Sequence, residues 1–270
     1  MHTSTPMSRR LRVTLLAGAI SATAATALAS PAAAATVTVA PGIEIRIATS
    51  STSANICTLG FTGTDGSGQP VGYTAGHCGD AGQQVFTSAG VNIGVIEKSS
   101  APATGPGGVV LDSNAADWAT IAFNSNANVV AGAGNVSPRT VGTPASGNAV
   151  CSQGRTTGWR CGTITDVSGY WITTTIARES GDSGGPLIRT TDQAALGLLS
   201  STTTTVGFGS LGGADSTSRY FLLTAATDRA GAGYSVSTVN ETVPDATLAP
   251  RNAPAPTQNT PVELPTIPAA

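Results

Sequence analysis

Apolar residues recur in this chain at every second position rather than every third or fourth: "VTV" at 37–39, "IEIRI" at 43–47, "VNIGVIE" at 91–97 and "YWITTTI" at 170–176. Successive side chains of an extended strand face opposite ways, so this period buries one face of a strand and gives a helix no continuous apolar stripe. The runs are short, rich in Val, Ile and Thr, and broken by Gly, Ser, Asn and Asp, which is the composition of short antiparallel strands. Only "SRYFLLTAATDRAG", 218–231, reads as a helix, opened by Ser218 and closed by Gly231. Short strands throughout with one late helix predict an all-β sandwich or barrel.

The two ends read differently from this middle. Residues 1–35 carry Arg9, Arg10 and Arg12, then the apolar run "VTLLAGAISATAATALA", then "SPAAAA". A basic start, a short apolar stretch and an A-x-A site predict a secretory signal peptide, and the stretch is too short for a stable membrane span. From 241 onward the sequence "ETVPDATLAPRNAPAPTQNTPVELPTIPAA" has prolines every few residues, no aromatics and no glycine. Such a segment buries too little apolar surface to offset its ordering entropy, so a disordered tail is predicted over 241–270. Between the ends, the loop "NSNANVVAGAGNVSPRTVGTPASGN" at 124–148 divides the strands into two halves, 36–130 and 131–240.

Charge narrows the partners. Removing the three leader arginines from 13 basic residues leaves 10 against 15 acidic ones, a net charge of −5, with Lys98 the one lysine. Sparse and slightly acidic charge argues against nucleic acid or an anionic membrane surface. The four cysteines, Cys57, Cys78, Cys151 and Cys161, all lie outside the leader. In an exported chain they form two disulfides in one of three pairings, and Cys57–Cys78 with Cys151–Cys161 is favoured because each closes a short loop within one half. Zinc is the competing reading of cysteines, but one histidine outside the leader and no C-x-x-C leave no ligand set for it, and no metal or organic cofactor is expected.

Two stretches carry the chemistry. "SGDSGGPL", 180–187, is a glycine-rich turn able to aim successive N–H groups at one point. A hydroxyl at its centre, Ser183, can attack a carbonyl while the N–H groups of Gly181 and Ser183 stabilise the oxyanion. Serine alone is a poor nucleophile, so a neutral imidazole must take its proton and a carboxylate must orient that imidazole. "VGYTAGHCGD", 71–80, supplies His77, and "NAADWATIAF", 114–123, supplies Asp117 at the start of an apolar run. Asp112, in the polar context "LDSN", is the rival carboxylate and reads as a local turn residue.

"TAGHC", "DWATI" and "GDSGGP", in that order, resemble the chymotrypsin-like serine peptidases, and "PGIEI", "CTLGF" and "GRTTGWRCGTIT" resemble the bacterial α-lytic protease and streptogrisin branch. The similarity spans about residues 41–238. It implies two antiparallel six-stranded β-barrels with an active site in the cleft between them, and peptide-bond hydrolysis through an acyl-enzyme. His77 is then the general base, Asp117 the orienting carboxylate, Ser183 the nucleophile, and Gly181 and Ser183 the oxyanion donors. Ser200 matches the position whose backbone pairs with the substrate strand, and Ala177, Ser180 and Thr202 fall at the substrate-binding positions. Protein or peptide substrates, a protein inhibitor and a monomeric state follow as expectations.

The departures from that pattern are informative. Ala177 stands six residues before Ser183, where trypsin-like members place an aspartate, so cleavage after Lys or Arg is not expected. Thr202 replaces a glycine of the pocket wall, which favours small or medium apolar residues at the cleaved position. Ser152 replaces an arginine that pairs with the aspartate of GDSGG, leaving Arg155, Arg160 and Arg178 as candidate partners of Asp182. Two other readings stay open: a catalytically weak binding protein on the same fold, and an esterase. The esterase is disfavoured because the α/β-hydrolase order Ser, Asp, His is reversed here.

Overall fold

A computed structural model describes residues 2, 36–103, 112, 114–205 and 215–240. The expected leader, apart from His2, and the expected proline-rich tail lie outside the described residues. No helix among the described residues is long and apolar enough to cross a membrane.

Strands dominate. β1 (Val37–Val39) is followed by seven strands of the first sheet: β2 (Glu44–Ala48), β3 (Ala54–Thr58), β4 (Phe61–Thr64), β5 (Pro70–Thr74), β6 (Gln84–Thr87), β7 (Asn92–Ser100) and β8 (Trp118–Phe123). The alternation of the sequence becomes alternation in space: along β2, Ile45 and Ile47 are buried while Glu44, Arg46 and Ala48 are partly exposed. β8 is buried at every position, as befits a central strand packed on both faces. β9 (Ala127–Val129) pairs in parallel with β1.

The second half forms β10 (Thr140–Val141), β11 (Ala149–Gly154), β12 (Gly158–Ser168), β13 (Trp171–Thr174), β14 (Pro186–Arg189), β15 (Ala194–Thr205) and β16 (Asp215–Leu222). Its ladders run β15-β14-β11-β12-β13-β16, and β16 pairs back onto β15, so six strands close into a barrel. β10 adds at the edge in parallel with β15. A closed barrel removes the exposed strand edges that an open sheet must protect.

The first half departs from the expected six strands. Among the described residues its sheet has eight, in the order β17-β4-β5-β8-β7-β6-β2-β3, with no ladder joining its ends. β3 and β4 are separated by Leu59 and Gly60 alone, so one bent stretch of chain serves both sides of the sheet. Leu59 N–H donates to Ile43 O on the β2 side and Gly60 N–H to Tyr73 O on the β5 side.

The one α-helix among the described residues, α1 (Leu223–Ala230), starts at Leu223 rather than Ser218. Residues 218–222 continue β16 instead, where Ser218 pairs with Thr174 on one side and Thr202 on the other. Ser218 therefore caps nothing, and its hydroxyl donates to Ile176 O. After the helix, β17 (Ser235–Val236) returns to the first sheet beside β4.

The largest apolar cluster draws on both halves: Phe61, Tyr73 and Trp118 from the first sheet, Trp171, Leu198 and Phe221 from the barrel, and Leu223 and Ala226 from α1. Each half also has its own core, around Ile45, Ile96 and Ile121 in one and Ile164, Leu187 and Leu199 in the other.

Candidate active site

The three residues singled out from the sequence come from different elements. Asp117 immediately precedes β8, His77 lies in a single 3₁₀ turn (Gly76–Cys78) after β5, and Ser183 sits in the turn before β14. The 3₁₀ turn is tightly seated, because a Cβ on Gly76 would come 2.0 Å from Ser100 O. Cys78 at the end of that turn is bonded to Cys57 near the end of β3, so the histidine's neighbour is tied covalently to an earlier strand of the same sheet. The second disulfide joins Cys151 and Cys161, which are directly opposed on β11 and β12.

Asp117 holds His77 twice. One carboxylate oxygen accepts the His77 backbone N–H at 2.9 Å, and the other lies 2.9 Å from Nδ1. Ser200 Oγ donates to that second oxygen at 2.5 Å. Asp117 keeps 1% of its side chain exposed against 37% for His77, so the imidazole is reachable from solvent and the carboxylate is not. A carboxylate that accepts from Nδ1–H leaves Nε2 as the nitrogen with a free lone pair. Burial pulls the imidazole pKa down, but the hydrogen bond and the charge of Asp117 together outweigh it and leave His77 above its ordinary value. Asp112, the rival carboxylate, accepts the Asn114 N–H in a local turn.

His77 and Ser183 line one cavity of about 410 Å³ together with Cys57, Arg155, Ser180 and Gly181. Among the described residues no hydrogen bond joins His77 to Ser183 Oγ; such contacts are commonly long before substrate enters and tighten afterwards. His77 also lies with Cys57 and Cys78 in a group whose donor atoms fall within 4.8 Å of one another. Both sulfurs are spent in the disulfide, so no thiolate is available there to hold a metal.

Around Ser183 every carbonyl from 179 to 183 is occupied. Asp182 N–H donates to Glu179 O, Gly185 N–H to Asp182 O at 2.9 Å, and Thr58 N–H to Ser183 O at 2.8 Å. Threonine hydroxyls take the other two: Thr156 Oγ1 donates to Ser180 O at 2.7 Å and Thr58 Oγ1 to Gly181 O at 3.0 Å. The N–H groups of Gly181 and Ser183, by contrast, have no acceptor among the described residues. Gly181 at φ 93° and Gly184 at φ 82° adopt the left-handed region that the turn needs. At Gly184 a Cβ would also come 2.0 Å from Thr74 Oγ1, so the turn is pressed against β5.

Asp182 is fully buried and richly bonded. It accepts Thr156 N–H at 2.8 Å, Thr157 N–H at 3.1 Å, Thr157 Oγ1 at 2.7 Å and Glu179 N–H at 3.1 Å. Of the three candidate arginines, Arg178 lies beneath it, 3.9 Å away with both side chains fully buried. Arg178 also donates to Gly158 O and to the carbonyl of Ser152, the residue that stands where an arginine was missed. Arg155 is engaged by Glu44 and Arg160 donates to Thr157 O, so neither serves Asp182.

Among the described residues, two of the expected substrate-binding positions line different cavities. Ser180 lines the His77–Ser183 cavity, whereas Ala177 lines a second one of about 460 Å³ with Arg160, Ile176, Arg178, Glu179 and Ser216. Thr202 Oγ1 is 3.0 Å from Ser218 Oγ. Sequence reasoning missed Thr58, Thr156 and Thr157, which hold the turn from outside it. "CTLGF" and "GRTTGW" contain them, but a threonine in a strand or loop carries no local mark of a distant partner.

No family model matches the chain. The uncharacterized protein Rv1815 of Mycobacterium tuberculosis is 31% identical over 187 residues, covering 67% of this chain and 77% of that protein. Streptogrisin-C of Streptomyces griseus is 35% identical over 151 residues, 49% of this chain and 29% of its own length. The crystal structure of Thermobifida fusca protease A superposes with a TM-score of 0.56 at 25% identity, covering 75% of this chain and all of that one. A barrel, a short late helix and a His–Asp pair facing a glycine turn agree with these likenesses, and in fold and sequence the chain is similar to the bacterial chymotrypsin-like serine proteases, the streptogrisin-like branch among them.

Proposed function

We propose that the protein is a secreted serine endopeptidase that cleaves peptide bonds through an acyl-enzyme. His77 Nε2 takes the proton of Ser183 Oγ as that oxygen attacks the peptide carbonyl carbon, and Asp117 holds the imidazole and stabilises its cation. The developing oxyanion receives the N–H groups of Gly181 and Ser183. His77 then gives its proton to the departing amine, and a water deprotonated by the same nitrogen releases the acyl group. One observation supports this reading: in a turn whose carbonyls are all occupied, the N–H groups without an acceptor among the described residues are those of Ser183 itself, of Gly181, which lines the same cavity, and of the exposed Ser180. Gly181 and Ser183 line the cavity that also holds His77, so their N–H groups are placed to meet an acceptor that enters it.

Small or medium apolar side chains are the preferred residues before the cut. The cavity at Ala177 is lined by Arg160 as well as Glu179, and Ala177 itself offers no carboxylate, so no surplus of negative charge offsets the cost of burying a Lys or Arg there. Two disulfides support export to an oxidising compartment. The test is labelling of the exported protein with a fluorophosphonate, read by mass. A single adduct on Ser183 in the wild type, and none in Ser183→Ala, is expected; a folded wild type that takes no label refutes the reading and leaves a binding protein on a peptidase fold.

A further inference from the structure

We propose that Thr156 is a positioning residue whose hydroxyl holds the Ser180–Gly181 peptide with its N–H turned toward Ser183. The inference rests on reading Gly181 N–H as an oxyanion donor. The carbonyl and N–H of a trans peptide point in opposite directions, so the 2.7 Å bond from Thr156 Oγ1 to Ser180 O fixes where Gly181 N–H points. The other proposed donor, Ser183 N–H, belongs to a peptide whose carbonyl is held by the backbone of Gly185, so no side chain is needed there. Of the two donor peptides, Ser180–Gly181 is the one anchored by a side chain.

That peptide needs an anchor. Gly181 sits at φ 93°, and glycine passes between positive and negative φ at little cost, so the peptide ahead of it can turn over while its neighbours stay in place. Turned over, it presents a carbonyl oxygen to the developing oxyanion in place of a donor. Thr156 is itself immobilised: its N–H donates to Asp182 Oδ1 at 2.8 Å, and Asp182 is fully buried. It also packs directly on the glycine, since a Cβ at 181 would come 2.7 Å from Thr156 Oγ1 and 2.9 Å from Arg155 Cδ. The threonine thus couples the buried carboxylate to the orientation of the donor.

Thr156→Val keeps the shape and removes the donor, and Thr156→Ser keeps the donor. The valine variant is expected to lower the fluorophosphonate labelling rate and kcat about tenfold or more, with KM within about threefold, because the lost interaction is made in the transition state. The serine variant should stay within about threefold of the wild type on both. A crystal structure of Thr156→Val should show Ser180 O turned away from residue 156. If the valine variant does not fold, Thr156→Ala read in the same ways replaces it. An unmoved peptide in the valine variant, wild-type rates in it, or an equal loss in the serine variant overturns the inference. A wild type that never labels refutes the peptidase reading instead, and the orientation of the peptide in the valine variant still decides the role of Thr156.

Discussion

His77 is opposed by two influences, and their balance sets a pH dependence. Burial, the larger single one, favours the neutral ring, yet the Asp117 hydrogen bond and charge together raise the pKa above its ordinary value. A general base works unprotonated, so kcat/KM for a peptide substrate should fall on the acid side with a midpoint above the ordinary histidine value. In Asp117→Asn burial acts unopposed: the midpoint should move to lower pH and the rate should drop about 10⁴-fold, both read from one pH–rate profile. An acid limb that stays in place would show that Asp117 does not govern the imidazole. The stability linkage has the opposite direction. Because the folded value is raised, the stabilisation is full below the unfolded pKa and is lost as pH rises through the folded one, so it fades as the base becomes competent. His77, Asp117 and Ser183 could be picked from the sequence because each sits in a short string whose neighbours define its setting. The partner of Asp182 could not be, since three arginines lay within reach in sequence and packing alone puts Arg178 beneath it.

At the scale of elements, the helix boundary shows where periodicity fails. Over 218–222 the pattern fits a helix, yet Tyr220 and Phe221 lie on a strand paired with both β13 and β15. Closing a barrel supplies ladder partners on both sides, and that tertiary gain overrides a local preference of a few tenths of a kcal/mol per residue. The bend between β3 and β4 is as weakly marked, because "CTLGF" holds a single glycine and no proline or turn pair. Gly60 makes that bend where the two halves meet: a Cβ there would come 2.3 Å from Leu198 Cδ2, 2.6 Å from Gly184 O and 3.0 Å from Tyr73 O. Two of those three atoms are backbone and cannot step aside. Gly60→Ala should therefore destabilise the protein by about 1–3 kcal/mol or more in denaturant unfolding and, by moving Gly184, slow labelling of Ser183. A variant with wild-type stability and labelling would mean that β3 and β4 can shift apart freely.

Across the whole molecule, the sequence divides the strands at 124–148, but packing joins what the sequence divides. The largest apolar cluster takes residues from the first sheet, the barrel and α1, and β17 carries the chain back from the barrel side to pair with β4. Tyr73, fully buried in the first sheet, donates its hydroxyl to Ser235 O on that returning strand. The proposed catalytic groups are split in the same way, His77 and Asp117 from one half and Ser183 from the other, so the site exists only while the halves stay docked. Such shared burial predicts one cooperative transition rather than two. Trp118 and Trp171 both lie in the shared cluster, one on the β8 side and one on β13. With Trp159→Phe as background, variants keeping either Trp118 or Trp171 should unfold at denaturant midpoints that differ only by the cost of their own substitutions, and each should agree with the midpoint from far-ultraviolet circular dichroism. Phe221, fully buried with its ring 5.3 Å from Trp171 edge to face, is the lever that separates the alternatives. Phe221→Ala should cost about 3–5 kcal/mol and shift the Trp118 and Trp171 transitions together. If the Trp171 transition alone moved, the halves would unfold separately, and residual Trp118 structure would survive in a protein that no longer labels at Ser183.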